Sequence, residues 1–236
     1  MREIQIYETA DILCERLSEE LLAPTSTSEP LHIALSGGST PTLFFEKMAE
    51  FKEPALFKDT HFYWVDERHV PEDDSESNYG VFRRLLVDTS IVPVENVHPI
   101  KYYADIHQMA ANYAQELGRC VPFENGLPQF DELILGVGED GHTASIFPDR
   151  LDLFETQDIV ATTRHPVTGQ GRVTLTGSTI NNAYEVTVLC TGERKRQILD
   201  KVLRWNNPEY PISHVKLRLF ASVIFKIDLA ASRYGL

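Results

Sequence analysis

Short apolar runs that alternate with helical segments restrict the fold of this chain more than any other feature. The runs at 31–35, 133–137 and 223–227 are continuous rather than alternating, which is typical of strands covered on both faces. Amphipathic patterns such as 9–22 lie between such runs and predict helices. We therefore predict an α/β fold, a doubly wound, mostly parallel sheet with helices on both faces. Ligands of such sheets bind beyond the carboxyl ends of the strands.

Length and charge narrow the class of protein. A single domain spanning 1–236 fits the length. The 35 acidic and 22 basic residues give a net charge of −13, which argues against nucleic-acid binding. We expect no membrane association, because no run reaches the roughly 18 apolar residues of a span and no secretory signal is evident. Cys14, Cys120 and Cys190 lack CxxC spacing, so we expect reduced thiols in a cytoplasmic protein.

The first candidate site follows the strand at 31–35. Gly37 and Gly38 permit close approach of the backbone to a ligand, and Ser39 and Thr40 add hydroxyl donors. Pro41 is expected at the first position of the next helix, whose N-terminus favours anions. The segment therefore suits a phosphate, although a tight turn capped by Ser or Thr would use the same residues. It matches neither common nucleotide-binding glycine pattern.

The second candidate site follows the predicted strand at 61–65. Asp66, Glu67, Arg68 and His69 come in succession, and Asp66 is expected to orient the Arg68 fork toward a phosphate or carboxylate. A solvated salt-bridge cluster is the alternative. We expect the acidic stretch 71–76 to be a solvated loop rather than a metal site. The segment 77–80 could cap a helix or contact a ligand.

The third candidate site is the most specific. Gly136, Gly138 and Gly141 follow an apolar strand and permit a sharp turn that places Asp140 and His142 at its carboxyl end. Histidine is the side chain best suited to exchange protons near neutral pH. A lone surface histidine usually has no function. This one lies in a glycine-rich acidic loop, so we expect His142 to be functional.

The segments SGGSTP, VDERHVP, SNYG and GVGEDGHTASIFP, in this order, together resemble the signature of the 6-phosphogluconolactonase family. Segments 172–176 and 191–195 add to the resemblance. The family is similar in fold to the glucosamine-6-phosphate deaminases and shares their Asp-Gly-His core. The continuation after His142 and the arginine at position 68 resemble the lactonase form.

The resemblance implies hydrolysis of 6-phospho-D-glucono-1,5-lactone to 6-phosphogluconate without a metal or organic cofactor. The implied partner is therefore a phosphorylated sugar lactone. His142 would be the general base, Asp140 or Glu139 would orient it, and Arg68 would bind substrate or the developing negative charge. The residues expected to hold the substrate and its phosphate are Gly37, Gly38, Ser39, Thr40, Asp66, Arg68, Arg172 and Lys195.

Other functions remain as alternatives. A Ser-His-Asp hydrolase would need a nucleophile elbow, but the chain has no GxSxG segment. An isomerase-deaminase of the same fold would release ammonia from glucosamine 6-phosphate. A sugar-phosphate-sensing domain could use the same phosphate loop, although it would have little need for His142 beside Asp140. A metal hydrolase is disfavoured, because the histidines show neither HxH nor HExxH spacing.

Overall fold

The computed structural model describes residues 2–21, 29–216 and 222–232. In chain order the strands β1 to β12 are Arg2–Tyr7, Leu31–Leu35, Thr60–Trp64, Asp66–Arg68, Val97–His98, Phe123–Glu124, Leu127–Pro128, Glu132–Gly136, Val160–Arg164, Gly171–Leu175, Glu185–Cys190 and Ser222–Asp228. The helices α1 to α6 are Ala10–Leu21, Ser39–Glu50, Asn78–Phe82, Ile106–Cys120, Gly177–Ile180 and Arg196–Leu203. Shorter helical turns lie at Pro54–Phe57, Arg83–Val87, Val94–Asn96, Pro148–Phe154, Glu193–Lys195 and Pro211–His214.

A parallel sheet dominates the described residues. Its strand order is β1-β12-β11-β8-β2-β3-β5, and every neighbouring pair runs parallel. This confirms the predicted mostly parallel sheet. From β2 the chain proceeds through β3 to β5 in one direction, whereas β8, β11 and β12 lie in the other. The carboxyl ends of β2 and β8 therefore flank the switch point of the topology, where open α/β sheets bind ligands.

Helices cover both faces of this sheet, as predicted. Successive side chains of a strand point to opposite faces, and β12 shows what each face meets. Lys226 pairs with Glu20 of α1, whereas Ile227 lines an apolar groove with Leu199 and Leu203 of α6. Burial on both faces explains why the strand sequences show uninterrupted apolar runs.

The helix starts follow local sequence signals. The Thr9 hydroxyl accepts a hydrogen bond from Ile12 N at 3.2 Å, and Asp105 caps α4 through His107 N at 2.9 Å. The expectation for Pro41 is wrong by two positions, because α2 begins at Ser39 after the Gly38 cap. Proline fits at the third position as well, since amides of the first turn have no intrahelical partner.

A second, antiparallel sheet of order β4-β10-β9 lies beside the carboxyl end of β3. The sequence predicts strands at 159–163 and 172–175 but does not separate them from the main sheet. In this small sheet Arg172 is the direct register partner of Arg68. No helix in the described ranges is long and apolar enough to cross a membrane.

Candidate active site

A cavity of about 270 Å³ opens at the carboxyl ends of the central strands. The loops after β2, β4, β8 and β11 and the β9–β10 hairpin contribute to it. The structure therefore brings all three candidate segments together in one place. The lining side chains and backbone segments include Gly37, Gly38, Ser39, Thr40, Asp66, Arg68, Asn78, Gly138, His142, Ser145, Phe147, His165, Arg172, Thr191 and Lys195.

A carboxylate–histidine pair occupies the turn after β8. His142 Nδ1 lies 2.5 Å from Asp140 Oδ1, and the His142 amide also donates to that oxygen at 3.2 Å. A Cβ atom at Gly138 would lie 2.1 Å from His142 Nδ1, so only glycine leaves room for the pair. Gly141 has a φ of +81°, a conformation that glycine adopts at little cost. The carboxylate that orients His142 is thus Asp140 rather than Glu139.

Electrostatics determine the tautomer of His142. Partial burial raises the pKa of Asp140, but the hydrogen bond and the charge interaction with His142 outweigh it, so the net pKa lies below the usual value. The ionised carboxylate can only accept, so His142 Nδ1 carries the proton and donates. In a neutral imidazole Nε2 then has a free lone pair, and no described residue hydrogen-bonds to it. A histidine in this state can accept a proton from water.

The glycine loop and the start of α2 present backbone amides toward the cavity. The first backbone bond of the helix runs from Thr42 N to Gly38 O at 2.9 Å, so the amides of Ser39 and Thr40 have no helical partner. Such amides and the helix dipole favour a phosphate. The Thr40 hydroxyl lies 2.7 Å from that of Thr191, which joins this loop to the end of β11. Lys195 lies in the following turn and lines the same cavity.

Two arginines that line the cavity, Arg68 and Arg172, are register partners on neighbouring strands. Arg68 donates to the carbonyl of Glu76 at 2.5 Å, while Nε of Arg68 and Nε of Arg172 are both buried without a hydrogen-bond partner. Arg172 is only 8% exposed, and burial followed by the charge of Arg68 lowers its pKa. Two adjacent guanidinium groups whose Nε donors are unpaired are suited to binding an anion.

Asp66 has a different partner from the one expected. Its carboxylate accepts a 2.6 Å hydrogen bond from the Ser145 hydroxyl, and no salt bridge joins it to Arg68 within the described ranges. The prediction that Asp66 orients Arg68 is therefore wrong. Its carboxylate instead joins the start of β4 to the turn after β8. Glu76 contributes the carbonyl that holds the arginine.

Glu67 has a positioning role that the sequence did not reveal. It is 2% exposed and accepts hydrogen bonds from the amides of Arg68, Asn78 and Tyr79 and from the Ser77 hydroxyl. Burial raises the pKa of Glu67, and these donors oppose that shift. Asn78 is thereby held against the glycine loop, where a Cβ atom at Gly37 would lie 1.9 Å from Asn78 Oδ1.

His165 and Phe147 complete the cavity and were also not assigned from sequence. The Phe147 ring lies 5.0 Å from the His142 ring and 5.2 Å from the His165 ring. His165 Nδ1 accepts from the amides of Val167 and Thr168, both at 3.2 Å, so its neutral form carries the proton on Nε2. Desolvation and then the charge of Arg172 lower the pKa of His165. Its only sequence signal is a histidine beside the turn segment that ends in Gly169.

Known proteins are similar to this chain in sequence and in architecture. The chain is 37% identical over 216 residues to the 6-phosphogluconolactonase of Haemophilus influenzae, covering 90% of this chain and 91% of that protein. The solved structure of the devB protein has a TM-score of 0.92 at 34% identity and covers 98% of both chains. A monomeric glucosamine-6-phosphate deaminase has a TM-score of 0.80 at 17% identity, covering 97% of this chain and 98% of that one. This last likeness concerns the fold alone.

The family described as glucosamine-6-phosphate isomerases/6-phosphogluconolactonase matches residues 6–223. That match covers every segment from which the resemblance was drawn, and these segments supply most of the residues that line the cavity. The chain belongs to the glucosamine-6-phosphate isomerase/6-phosphogluconolactonase family.

Proposed function

We propose that this cavity hydrolyses 6-phospho-D-glucono-1,5-lactone to 6-phosphogluconate, the lactonase step of the oxidative pentose phosphate pathway. The observation that carries the proposal is the His142–Asp140 pair, whose histidine retains a free nitrogen beside an anion-binding wall. The H. influenzae lactonase, similar over nine-tenths of the chain, supports the same assignment. We place the activity in a single cytoplasmic domain spanning 1–236.

The substrate's two polar ends fit different walls of the cavity. The phosphate binds at Gly37, Gly38, Ser39 and Thr40, where helical amides are free, and Lys195 adds a positive charge. The lactone lies toward His142, with Arg68 and Arg172 donating to its oxygens and Asp66 holding the wall through Ser145. These few local cations allow a chain of net charge −13 to bind an anion.

The chemistry requires one proton acceptor that later returns the proton. His142 Nε2 takes a proton from water as the water oxygen attacks C1 of the lactone. The tetrahedral oxyanion accepts hydrogen bonds from the guanidinium groups, which act where charge develops. The bond between C1 and the ring oxygen then breaks, and the imidazolium returns its proton to that oxygen. Asp140 stabilises the imidazolium, and His165 supplies a neutral N–H donor.

A serine nucleophile fits this cavity poorly. Ser36 Oγ accepts from Gly136 N at 3.2 Å, and Ser145 Oγ donates to the buried Asp66. None of the serines that line the cavity, Ser36, Ser39 and Ser145, is hydrogen-bonded to His142, which a serine nucleophile would need as its base. Direct attack by water suffices, because a lactone is already an activated ester.

The test is a coupled assay on freshly generated phosphogluconolactone, with spontaneous hydrolysis subtracted. We expect saturable hydrolysis and far lower kcat/KM for unphosphorylated gluconolactone. Ammonia release from glucosamine 6-phosphate, measured in parallel, would instead indicate a deaminase. Equal kcat/KM for the two lactones would contradict the phosphate site.

A further inference from the structure

Three histidines lie in a row on neighbouring strands, on the face of the sheet that α4 covers. His32, His61 and His98 belong to β2, β3 and β5. The rings of His32 and His61 are 5.5 Å apart, and those of His61 and His98 are 5.2 Å apart. None of the three is among the residues that line the active-site cavity. The proposed reaction leaves this cluster without a role.

The ring of His98 is held in one orientation. Tyr63 stacks on it with ring centroids 4.5 Å apart and planes 8° from parallel. His98 Nε2 lies 3.0 Å from His61 Nδ1. The other nitrogen, Nδ1, lies 3.0 Å from Glu116 Oε1 of α4. The ring therefore presents Nδ1 to the helix, while Nε2 is occupied by a neighbouring histidine.

Helix α4 adds a carboxylate and a thiol at this point. Glu116 and Cys120 are one turn apart, so they lie on the same face of the helix. Cys120 Sγ is 3.5 Å from Glu116 Oε1. The other carboxylate oxygen of Glu116 pairs with Arg119, which leaves Oε1 to face the histidine and the thiol. Ligand atoms of His98, Glu116 and Cys120 all lie within 4.8 Å of one another.

Two of these separations are close to those around a tetrahedral zinc ion. Bonds of roughly 2.0–2.3 Å to nitrogen, oxygen and sulfur place neighbouring ligand atoms roughly 3.3–3.6 Å apart. The observed 3.0 Å and 3.5 Å distances therefore need a shift of only a few tenths of an ångström. The His98 nitrogen and the Cys120 sulfur lie within 4.8 Å of each other, and a bound metal would draw them into the same range. An imidazole, carboxylate and thiolate set suits zinc and its chemical relatives, whereas magnesium and calcium prefer oxygen alone.

We propose that His98 Nδ1, Glu116 Oε1 and Cys120 Sγ bind a divalent cation of the zinc class. The thiol loses its proton to solvent when the metal–sulfur bond forms. A cavity of about 120 Å³, lined in part by His98 and Glu116, admits a water molecule as the fourth ligand. His98 Nε2–H then donates to His61 Nδ1, the outer-shell contact that metal-binding histidines usually make.

The site has a structural rather than a catalytic consequence. It joins the two-residue edge strand β5 to the last turn of α4, so the bound metal should stabilise this edge of the sheet. The lactone reaction needs no group from it, and the proposed mechanism stays independent of the metal. Two nearby cations, Arg119 and Lys101, line the adjacent cavity and reduce the affinity for a cation.

The test titrates the full-length, metal-stripped and reduced protein with Co²⁺, then displaces it with Zn²⁺. We expect one equivalent of Co²⁺ with a thiolate-to-cobalt charge-transfer band, and a rise in Tm with Zn²⁺. Cys120→Ser should lose the band, and His98→Gln should weaken binding at least about tenfold. His61→Phe should weaken it by about 10- to 100-fold, as expected for an outer-shell partner.

Matched controls use the same residue types elsewhere. Cys190→Ala removes a buried thiol of β11, and His107→Gln removes an exposed histidine of the same helix α4. Both should retain the band and the affinity, with circular dichroism confirming that every variant is folded. A wild type that shows no band, or a band that persists in Cys120→Ser, would mean that the cluster is a hydrogen-bonded network only.

Discussion

Two carboxylate–histidine pairs in this molecule look alike locally but differ in what their second nitrogen meets. In the cavity, His142 Nδ1 lies 2.5 Å from Asp140, and no described residue binds Nε2. Beneath α4, His98 Nδ1 lies 3.0 Å from Glu116, and Nε2 contacts His61. The first histidine can exchange protons with a ligand, whereas the second is fully engaged by its neighbours. The proposed proton-transfer role of His142 therefore rests on its unoccupied Nε2 and not on the carboxylate pair alone.

Among the variants considered, separate substitutions of His142 and His98 should give the largest difference in kcat. His142→Asn removes the proposed base, so kcat should fall by about 10²–10⁴-fold, with 6-phosphogluconate binding largely retained. His98→Gln should leave kcat and KM near their wild-type values. Background-corrected steady-state kinetics and product binding measure both. A folded His142→Asn variant with near wild-type kcat would place the base elsewhere.

Removing a charge from the cavity should have the next largest effect. Lys195→Ala loses a charge-assisted contact to the phosphate, worth roughly 1.5–3 kcal/mol, so KM should rise about ten- to a hundredfold. The change should fall mainly on KM if the contact is equal in ground and transition states. Arg194→Ala is the matched control, because Arg194 is exposed and does not line the cavity. Similar KM values for both variants would contradict the phosphate assignment.

Changing the shape of a cationic side chain while keeping its charge should reduce activity less than removing the charge. Arg68→Lys retains the positive charge but loses the planar fork, so we expect partial activity, reduced about tenfold. Arg164→Lys is the matched control, because Arg164 lies in the exposed part of the β9–β10 hairpin. Its activity should equal that of the wild type in the same assay. Full activity in a folded Arg68→Ala variant would assign Arg68 to structure alone.

Substitutions at His165 test whether the reaction needs the neutral N–H donor that this side chain contributes to the cavity. His165→Gln can keep an N–H donor, whereas His165→Leu cannot, so kcat/KM should fall severalfold only in the leucine variant. Comparing the two variants separates hydrogen bonding from packing against Phe147. Equal losses in both would favour a packing role.

The two carboxylates should also affect acid stability, with a small effect for each. The pKa of Glu116 is lowered by its hydrogen bond from His98, and the pKa of Asp140 is lowered on balance. A lowered folded-state pKa contributes stability that is present above the unfolded pKa of about 4 and is lost as pH falls through the folded value. Glu116→Gln and Asp140→Asn should therefore each flatten the loss of stability below about pH 4. Denaturant unfolding at several acidic pH values measures the free energy of unfolding. If its slope against pH is the same in a variant as in the wild type, that carboxylate–histidine pair does not contribute to acid stability.

The sequence alone determined the features that depend on neighbours along the chain. Continuous apolar runs predicted strands buried on both faces, and the glycine spacing around His142 predicted its turn, because backbone freedom and side-chain periodicity are local properties. The four ordered segments also identified the family. The active-site loops follow their strands directly, so most of the cavity could be predicted once a parallel sheet was expected.

Only the tertiary structure decided which polar groups meet. Asp66 pairs with Ser145 rather than Arg68, and Arg68 lies beside Arg172 because β4 and β10 pair in one register. Glu67 acts through backbone amides of a distant turn, and His98 meets Glu116 and Cys120 because α4 packs across the sheet edge. Such contacts join residues far apart in sequence, and a one-residue change of strand register would turn each side chain to the other face. Residue types define what chemistry is available, and packing decides which of those groups can carry it out.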